Sequence, residues 1–525
     1  VKLVDGREAP LSCYGDDVID FSPYISNPAC HLQKVRLAPF PRSWRHSITD
    51  LTVAYWRYGR PGQAAPEAST VVSSIIILSP YVAFLESLGV HSFSQIRPIH
   101  IQAYSRYLNE QNDSADSAPA TSRTPEGVSR SLTVVALPWD LRKHLHDKMT
   151  FPPFEWGDIS RMAGAVKRGA RSVKTKAMTD DEAAKLIATC DLALSNIDEL
   201  VVREKMIQSW LTDNESTYRT YSTLRNELSR YVISIGFTLK EHRYRKRIAR
   251  AAALAELGLL TGLRASEILS LEQGCYFVKE HNGHLLGWLS GTSFKMKKKG
   301  ARQCEWLAPS RVGEIVKIIE ALTSPLRARL VAATKKEELL IGIGDCPERE
   351  AARRALQLAT MQRDCRLLFL TESLSKGKAA ADYVGAVRSF VIASDLKLIA
   401  PIAKIPFRLH PHALRRTFAV IVVHKCSGDL RYLRKHFQHW SIETTQLYAT
   451  HEKREQELAD ELAEELLRFK PDTVLGWLDT SVPLAGKGGA HIESERQKPM
   501  FQGQCNKSLR AGATSVADGI VLRST

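Results

Sequence analysis

At 525 residues the chain is longer than one hydrophobic core commonly supports, so two or three domains are expected. A net charge of +16 and a pI of about 9.4 point to a polyanion such as nucleic acid, a balance that membrane-surface and other basic proteins share. Nine cysteines, scattered singly, odd in number and with no CxxC pair, read as reduced and intracellular.

Residues 1–65 are rich in proline, glycine and short turns and read as an N-terminal extension or arm, with one strand expected at LTVAYWRYG, Leu51 to Gly59. Helical periodicity begins at Ser69 and continues, across the polar loop NDSADSAPATSRTPEG, to about residue 166. The longest apolar run, VVSSIIILSPYVAFLESLGV from Val71, is interrupted by Pro80 and Glu86, so a soluble helix is expected and no membrane span.

The stretch 167–178 is basic, with Lys167, Arg168, Arg171, Lys174 and Lys176, and reads either as a solvated linker or as one lying along a phosphate backbone. A helix opens after it, with Thr179 as N-cap and Glu182 completing a capping box. Residues 191–247 are charged and helical and end in KEHRYRKRIAR, which offers Arg243, Arg245, Lys246 and Arg247 as further phosphate contacts.

That cluster leads into AAALAELGLLTGLRASEILSLE, which reads as an apolar helix, a Thr-Gly-Leu turn and a second helix opening at Arg264. Arg264 and Glu267 stand three apart. Such a pair is commonly a surface ion pair, but the apolar flanks predict a buried turn in which Arg264 needs a strong partner. A β-hairpin is expected over HLLGWLSGTSFKMKKKGARQCEWLAP. Its lysines, Lys295, Lys297, Lys298 and Lys299, are either an exposed tip or a source of one lysine at a scissile phosphate.

Residues 310–405 read as helices with one strand-like piece, RLLFLTE. Between Arg408 and His451, His412, Arg415, His439 and Tyr448 stand in a spacing that core packing does not demand. His412 and Arg415 share a face if HALR is helical, and His439 precedes Tyr448 by nine residues. Leu458, Leu462, Leu466 and Phe469 then form a stripe on a helix at 456–470 that must dock on this chain's own core or on a neighbouring copy. Residues 471–525 show no periodicity and read as a flexible tail.

The segments TGLRASEILSL, HALRRTFA and HFQHWSIETTQLY resemble, in order and spacing, the three signature boxes of the tyrosine recombinase, or phage integrase, family. The resemblance implies a mainly α fold with a small β-hairpin or sheet (α+β). It also implies a two-domain DNA clamp, with a helical core-binding domain over 66–166, a linker over 167–178 and a catalytic domain over 179–455 carrying helical insertions near 191–247 and 310–405.

Carried over by motif, Arg264, His412, Arg415 and His439 would manage charge and protons, Tyr448 would attack, and Glu267 and Trp440 would support. Lys295 is favoured among the hairpin lysines because the family's lysine sits at the start of the turn. The chain departs from the family's Leu-Gly-His-Ser in having Phe437, Gln438, His439 and Trp440.

The implied reaction is site-specific DNA cleavage and rejoining through a 3′-phosphotyrosyl intermediate, with no metal and no cofactor. The implied partners are double-stranded recombination sites, other copies in a homo-tetramer, and other recombinases of the same mobile element. The implied location is cytoplasmic, on the nucleoid in a bacterium. Two alternatives stay open, a type IB topoisomerase using the same constellation and a catalytically silent DNA-binding accessory of a transposition complex.

Overall fold

The computed structural model describes residues 8–113, 125–154, 158–163, 175–214, 217, 221–281, 283–294, 301–343, 347–372, 384–425 and 436–437. The chain divides into two compact units, Val1–Tyr448 and Ala449–Thr525, and the described residues all lie in the first. The expected stripe at Leu458, Leu462, Leu466 and Phe469 and the expected tail lie outside them. The described part is mostly helical with small antiparallel sheets.

The first hydrophobic core starts early in the chain. Strands β1 (Val18–Asp20) and β2 (Lys34–Arg36) pair antiparallel, Val18 opposite Arg36. Helices α1 (Arg45–Tyr58), α2 (Ala68–Ser87), α3 (Pro98–Asp113) and α4 (Pro125–Val135) follow, then the short α5 (Leu137–Asp140) and α6 (Asp158–Met162). Phe21, Val35, Trp44, Ile48 and Leu51 share one core with Ile75 and Val82 of α2, Tyr104 of α3 and Leu132 of α4. Phe21 to Tyr55 are therefore part of this helical body, where the sequence reading made residues 1–65 an N-terminal extension or arm.

The strand expected at Leu51 to Gly59 is the second half of α1. Ile48, Leu51 and Tyr55 recur at helical spacing and are buried, and that periodicity outweighs the β-preference of Thr, Val, Tyr and Trp. The threonines are accommodated because Thr49 and Thr52 donate their hydroxyls to the carbonyls of Arg45 and Ile48, at 2.9 and 2.6 Å. By length and composition α2 could cross a membrane. Its Val71, Ile75, Leu78, Val82 and Leu85 are instead buried in the core just described.

The second core is built around α10 (Leu239–Thr261). Its run Ala249, Ala251, Ala252, Ala253 and Ala255 is buried, and small side chains let α7 (Asp180–Leu194), α12 (Ser310–Ile343), α14 (Ser389–Ile402) and α15 (Pro411–Lys425) approach it closely. The capping box at the start of α7 is formed. Thr179 Oγ1 accepts the Glu182 N–H at 3.2 Å, and Glu182 Oε2 accepts the Thr179 N–H at 2.9 Å. Between α7 and α10, α8 (Ile197–Asn214) and α9 (Tyr221–Ser234) enclose a small core of their own around Leu211, Leu228 and Val232.

After α10 come the one-turn α11 (Ala265–Ile268) and a sheet of β3 (Tyr276–His281), β4 (His284–Ser293) and β5 (Arg302–Leu307), in the order β3-β4-β5. The expected β4–β5 hairpin is present, and β3 adds a strand that the sequence reading lacks. Its signal was available in the Asn-Gly dipeptide of the sequence at 282–283: His281 pairs with His284, with Gly283 at φ +79°. Helix α13 (Glu348–Asp364) and the β6 (Leu370–Glu372) and β7 (Val384–Ala386) pair complete the unit.

Candidate active site

The site forms where α10 stops. Gly262 follows Thr261 in the left-handed region at φ +62°, and its N–H closes the helix on Gly258 O at 2.9 Å. Glycine is required there twice over, because a Cβ would also collide with the rings of Phe418 and Phe437. The turn is buried, with Thr261 and Leu263 almost wholly out of solvent, as its apolar flanks predict. It delivers Arg264 to the N-cap of α11 and Glu267 to the third position of that helix.

Glu267 is 1% exposed and holds the site together. Its Oε2 accepts the Arg264 backbone N–H at 2.8 Å and its Oε1 accepts Arg264 Nη1 at 2.6 Å. Oε1 also accepts the Ser293 hydroxyl at 2.8 Å, from the last residue of β4. Arg415 Nη1 lies 3.9 Å from Oε2, so one carboxylate is shared by two guanidinium groups. Arg264 Nε is buried with no hydrogen-bond partner among the described residues.

Arg415, on α15, is 1% exposed and donates Nη1–H to Gly262 O at 2.7 Å. The Phe437 ring lies beneath its guanidinium, 3.6 Å from Cζ to the ring centroid. His436 Nε2 lies 2.7 Å from Thr261 O, and its ring stacks on Phe418 at 5.2 Å. Burial pulls the His436 pKa below its ordinary value, and Arg415 adds to that pull. Thr261 O and Glu267 oppose it.

Of the residues expected to be catalytic, the structure brings Arg264 and Arg415 together on Glu267. His412 lies on α15 three residues before Arg415, as expected of a helical HALR, but it is exposed while Arg415 is buried. Its ring stands 6.4 Å from that of the half-buried His410, whose pKa is lowered by burial and then by Arg408. Lys295, Lys297, Lys298, Lys299, His439, Trp440 and Tyr448 lie outside the described residues, as do Lys167, Arg168, Arg171 and Lys174.

Part of the basic cluster of α10 is engaged in ion pairs within the chain. Arg245 pairs with Glu199 at 3.0 Å, Lys246 with the buried Glu204 at 2.8 Å, and Arg247 with the buried Asp395 at 2.9 Å. These three tie α10 to α8 and α14, and for the buried Glu204 and Asp395 the cation replaces the solvation that burial removes. Arg243 makes no ion pair among the described residues, and Lys176 is exposed.

A cleft of about 500 Å³ between the β1–β2 pair and α13 also looks basic. Its Lys34 is held by Asp20, Arg349 by Asp16, Arg363 by Asp364, and Arg388 by the Pro28 and Cys30 carbonyls.

Sequence reasoning missed Ser293 and His436. Ser293 carries a signal only in hindsight, as a small polar residue ending a strand two positions before Lys295. His436 lies inside the quoted HFQHW segment, but nothing in the spacing separates it from a packing residue.

Residues 238–455 match the phage integrase family. No curated protein matches the sequence. Among solved structures, one of the XerH site-specific recombinase bound to palindromic difH substrate in a post-cleavage complex is similar at 15% identity and TM-score 0.40, covering 84% of this chain and 98% of that one. A pre-cleavage complex of XerH with difH substrate is similar at 14% and 0.37, covering 74% and 80%. A structure of XerA recombinase is similar at 13% and 0.27, covering 79% and 98%. At these TM-scores the likenesses add no weight to the family match.

Proposed function

Residues 238–455 belong to the phage integrase family, which makes the chain a tyrosine-type site-specific recombinase, and from that premise we propose that it cleaves and rejoins duplex DNA through a 3′-phosphotyrosyl bond to Tyr448. The observation that carries the proposal is the Arg264–Glu267–Arg415 arrangement. Glu267 fixes two guanidinium groups in one buried place, and Arg264 Nε is a buried donor with no hydrogen-bond partner among the described residues. A phosphodiester supplies the oxygen acceptors that such a fork matches.

In the proposed reaction the Tyr448 oxygen attacks phosphorus and the bond from phosphorus to the 5′-oxygen breaks. The new bond is a phosphotyrosine on the 3′ side, and the departing oxygen becomes a 5′-hydroxyl. Charge growing on the non-bridging oxygens is held by Arg264, Arg415 and His439. The phenol, with a reference pKa of ~10, gives its proton to a base. His412 is exposed at the start of α15, where it is open to substrate, and is the candidate. Lys295 is the candidate that protonates the 5′-oxygen. Attack by another strand's 5′-hydroxyl reverses the step and exchanges partners, so the diester bond is conserved without an energy source.

The same proposal assigns the chain to integration, excision or transposition of a mobile element, acting on DNA inside the cell. Exchange between two duplexes needs four active sites, hence a tetramer, with the stripe from Leu458 to Phe469 as its docking helix. The test is a suicide duplex, nicked so that the cleaved end diffuses away. Wild-type protein is expected to accumulate a covalent protein–DNA adduct and Tyr448→Phe to give none. An adduct that persists in Tyr448→Phe, or none with wild type on its own element's ends, refutes the proposal.

A further inference from the structure

We infer that His436 is a positioning residue for the arginine pair, holding the turn that carries Arg264 through a hydrogen bond from its Nε2–H to Thr261 O. The inference rests on the proposed recombinase chemistry and deepens it. A helix end leaves carbonyls without intrahelical partners, and α10 ends inside the protein, where water does not supply them. Two of those carbonyls are met by donors from elsewhere in the chain. Thr261 O lies 2.7 Å from His436 Nε2, and Gly262 O takes Arg415 Nη1–H at 2.7 Å. A carbonyl oxygen can only accept, so Nε2 carries a proton and the neutral ring is the Nε2–H tautomer.

The surroundings keep His436 in place as well as in that form. Its ring stacks on Phe418, and the next residue, Phe437, lies under the Arg415 guanidinium. Gly262 has no side chain, and the rings of Phe418 and Phe437 occupy the space a Cβ would take. Among the described residues, the charged groups that act on the imidazole include Arg415 from α15 and Glu267 from α11, one of each sign. His436 and Phe437 thus pack with Phe418 and Arg415 of α15 against the turn. Without the Nε2 donor, Thr261 O is left buried and unsatisfied, and the turn shifts to find a partner. Arg264 moves with it, because Arg264 follows Thr261 by three residues.

The test compares His436→Leu, which removes the donor, with His436→Gln, which returns an N–H at similar reach. A misplaced guanidinium costs on the order of 10²-fold per ångström, so His436→Leu is expected to slow adduct formation by roughly 10- to 100-fold. DNA affinity should stay within about twofold, because the phosphate contacts that dominate it lie on other residues. His436→Gln is expected to recover most of the rate.

Amide exchange over Thr261–Ile268 is read in parallel on the free protein, where it should rise in His436→Leu and return in His436→Gln. A His436→Leu protein with wild-type rate and wild-type exchange overturns the inference. So does a folded His436→Gln protein that recovers neither. If wild type forms no adduct, the recombinase proposal falls, and the exchange comparison still decides the role of His436.

Discussion

Ser293 donates its hydroxyl to Glu267 Oε1 at 2.8 Å, the same oxygen that receives Arg264 Nη1 at 2.6 Å. The end of β4 and the first arginine of the site are therefore positioned by one atom. Ser270 adds a second tie, its hydroxyl reaching Thr292 O at 3.1 Å. The chain runs on from Ser293 to Lys295 in two residues, so whatever sets the strand end also sets where the hairpin lysines begin.

Ser293→Ala removes a hydroxyl donor from a buried carboxylate, a loss of about 1–3 kcal/mol in stability. Urea denaturation should show that loss, and cleavage should slow more than DNA binding weakens. Ser293→Thr keeps the hydroxyl and should retain both. Equal effects of Ala and Thr would place the cost in packing.

Glu267→Gln keeps the shape of the side chain and removes its charge. Arg264 and Arg415 then face each other without a shared counter-charge in a buried site. Breaking a buried ion pair typically costs about 3–5 kcal/mol, so the midpoint of thermal unfolding should fall well below wild type. A midpoint unchanged within error would show that Glu267 is not what holds the two arginines.

Gly262→Ala combines a left-handed backbone, which disfavours a Cβ by about 1–2 kcal/mol, with overpacking against Phe418 and Phe437. The variant is expected to express poorly or to melt several degrees lower. A wild-type melting temperature would contradict the placement of those rings.

Acid should destabilise the fold, and His436 and Glu204 are two of the groups responsible. The His436 pKa is lowered in the folded protein, so the unfolded chain binds the proton more tightly. The associated stability is complete above the ordinary value of 6.5 and is lost as pH falls through the folded value. Glu204 behaves in the same direction at lower pH. Burial alone would raise its pKa, but Lys246 and His242 outweigh burial and hold it below 4.5. Denaturation at pH 7.5 and 5.5 should show wild type losing stability and His436→Gln losing less. Parallel losses would remove His436 from the account.

Basic residues of the two positively charged segments should separate by role. Lys246→Ala leaves Glu204 buried without its cation and should destabilise by about 3–5 kcal/mol. Arg243→Ala and Lys176→Ala should leave stability alone, weaken DNA binding evenly across sequences, and each lower the log–log salt slope by about one. If Lys246→Ala changes the salt slope and not the stability, the ion pairing of α10 is misassigned.

Sequence pattern reached part of this design and stopped for physical reasons. The turn at TGLR was legible because apolar flanks force burial and a buried arginine needs a carboxylate, which Glu267 provides. The helix carrying His412 and Arg415 was legible from their spacing. The opposite exposures of those two residues were not, since an i, i+3 pair can straddle the edge of a buried face. Residues Leu51 to Gly59 misled because their β-branched and aromatic composition competes with a helical period that only the core selects. Ion pairing in KEHRYRKRIAR was invisible because its partners, Glu199, Glu204 and Asp395, come from distant helices. His436 and Ser293 act through single contacts to a carbonyl and a carboxylate, and no periodicity encodes such contacts.

The central claim is that Arg264 and Arg415, fixed by Glu267, serve the charge of a phosphodiester. Its most direct measurement is the rate of the Tyr448 adduct on two suicide duplexes, one with an ordinary phosphate and one with an uncharged methylphosphonate at the scissile position. On the phosphate, Arg415→Ala should lose on the order of 10²–10³ in rate, as removal of one donor to a developing oxyanion does elsewhere. On the methylphosphonate, where there is less charge to hold, the variant should recover most of that loss relative to wild type. The same loss on both duplexes would contradict the account, because it would mean that Arg415 supports the fold of the site and does not meet the charge of the substrate.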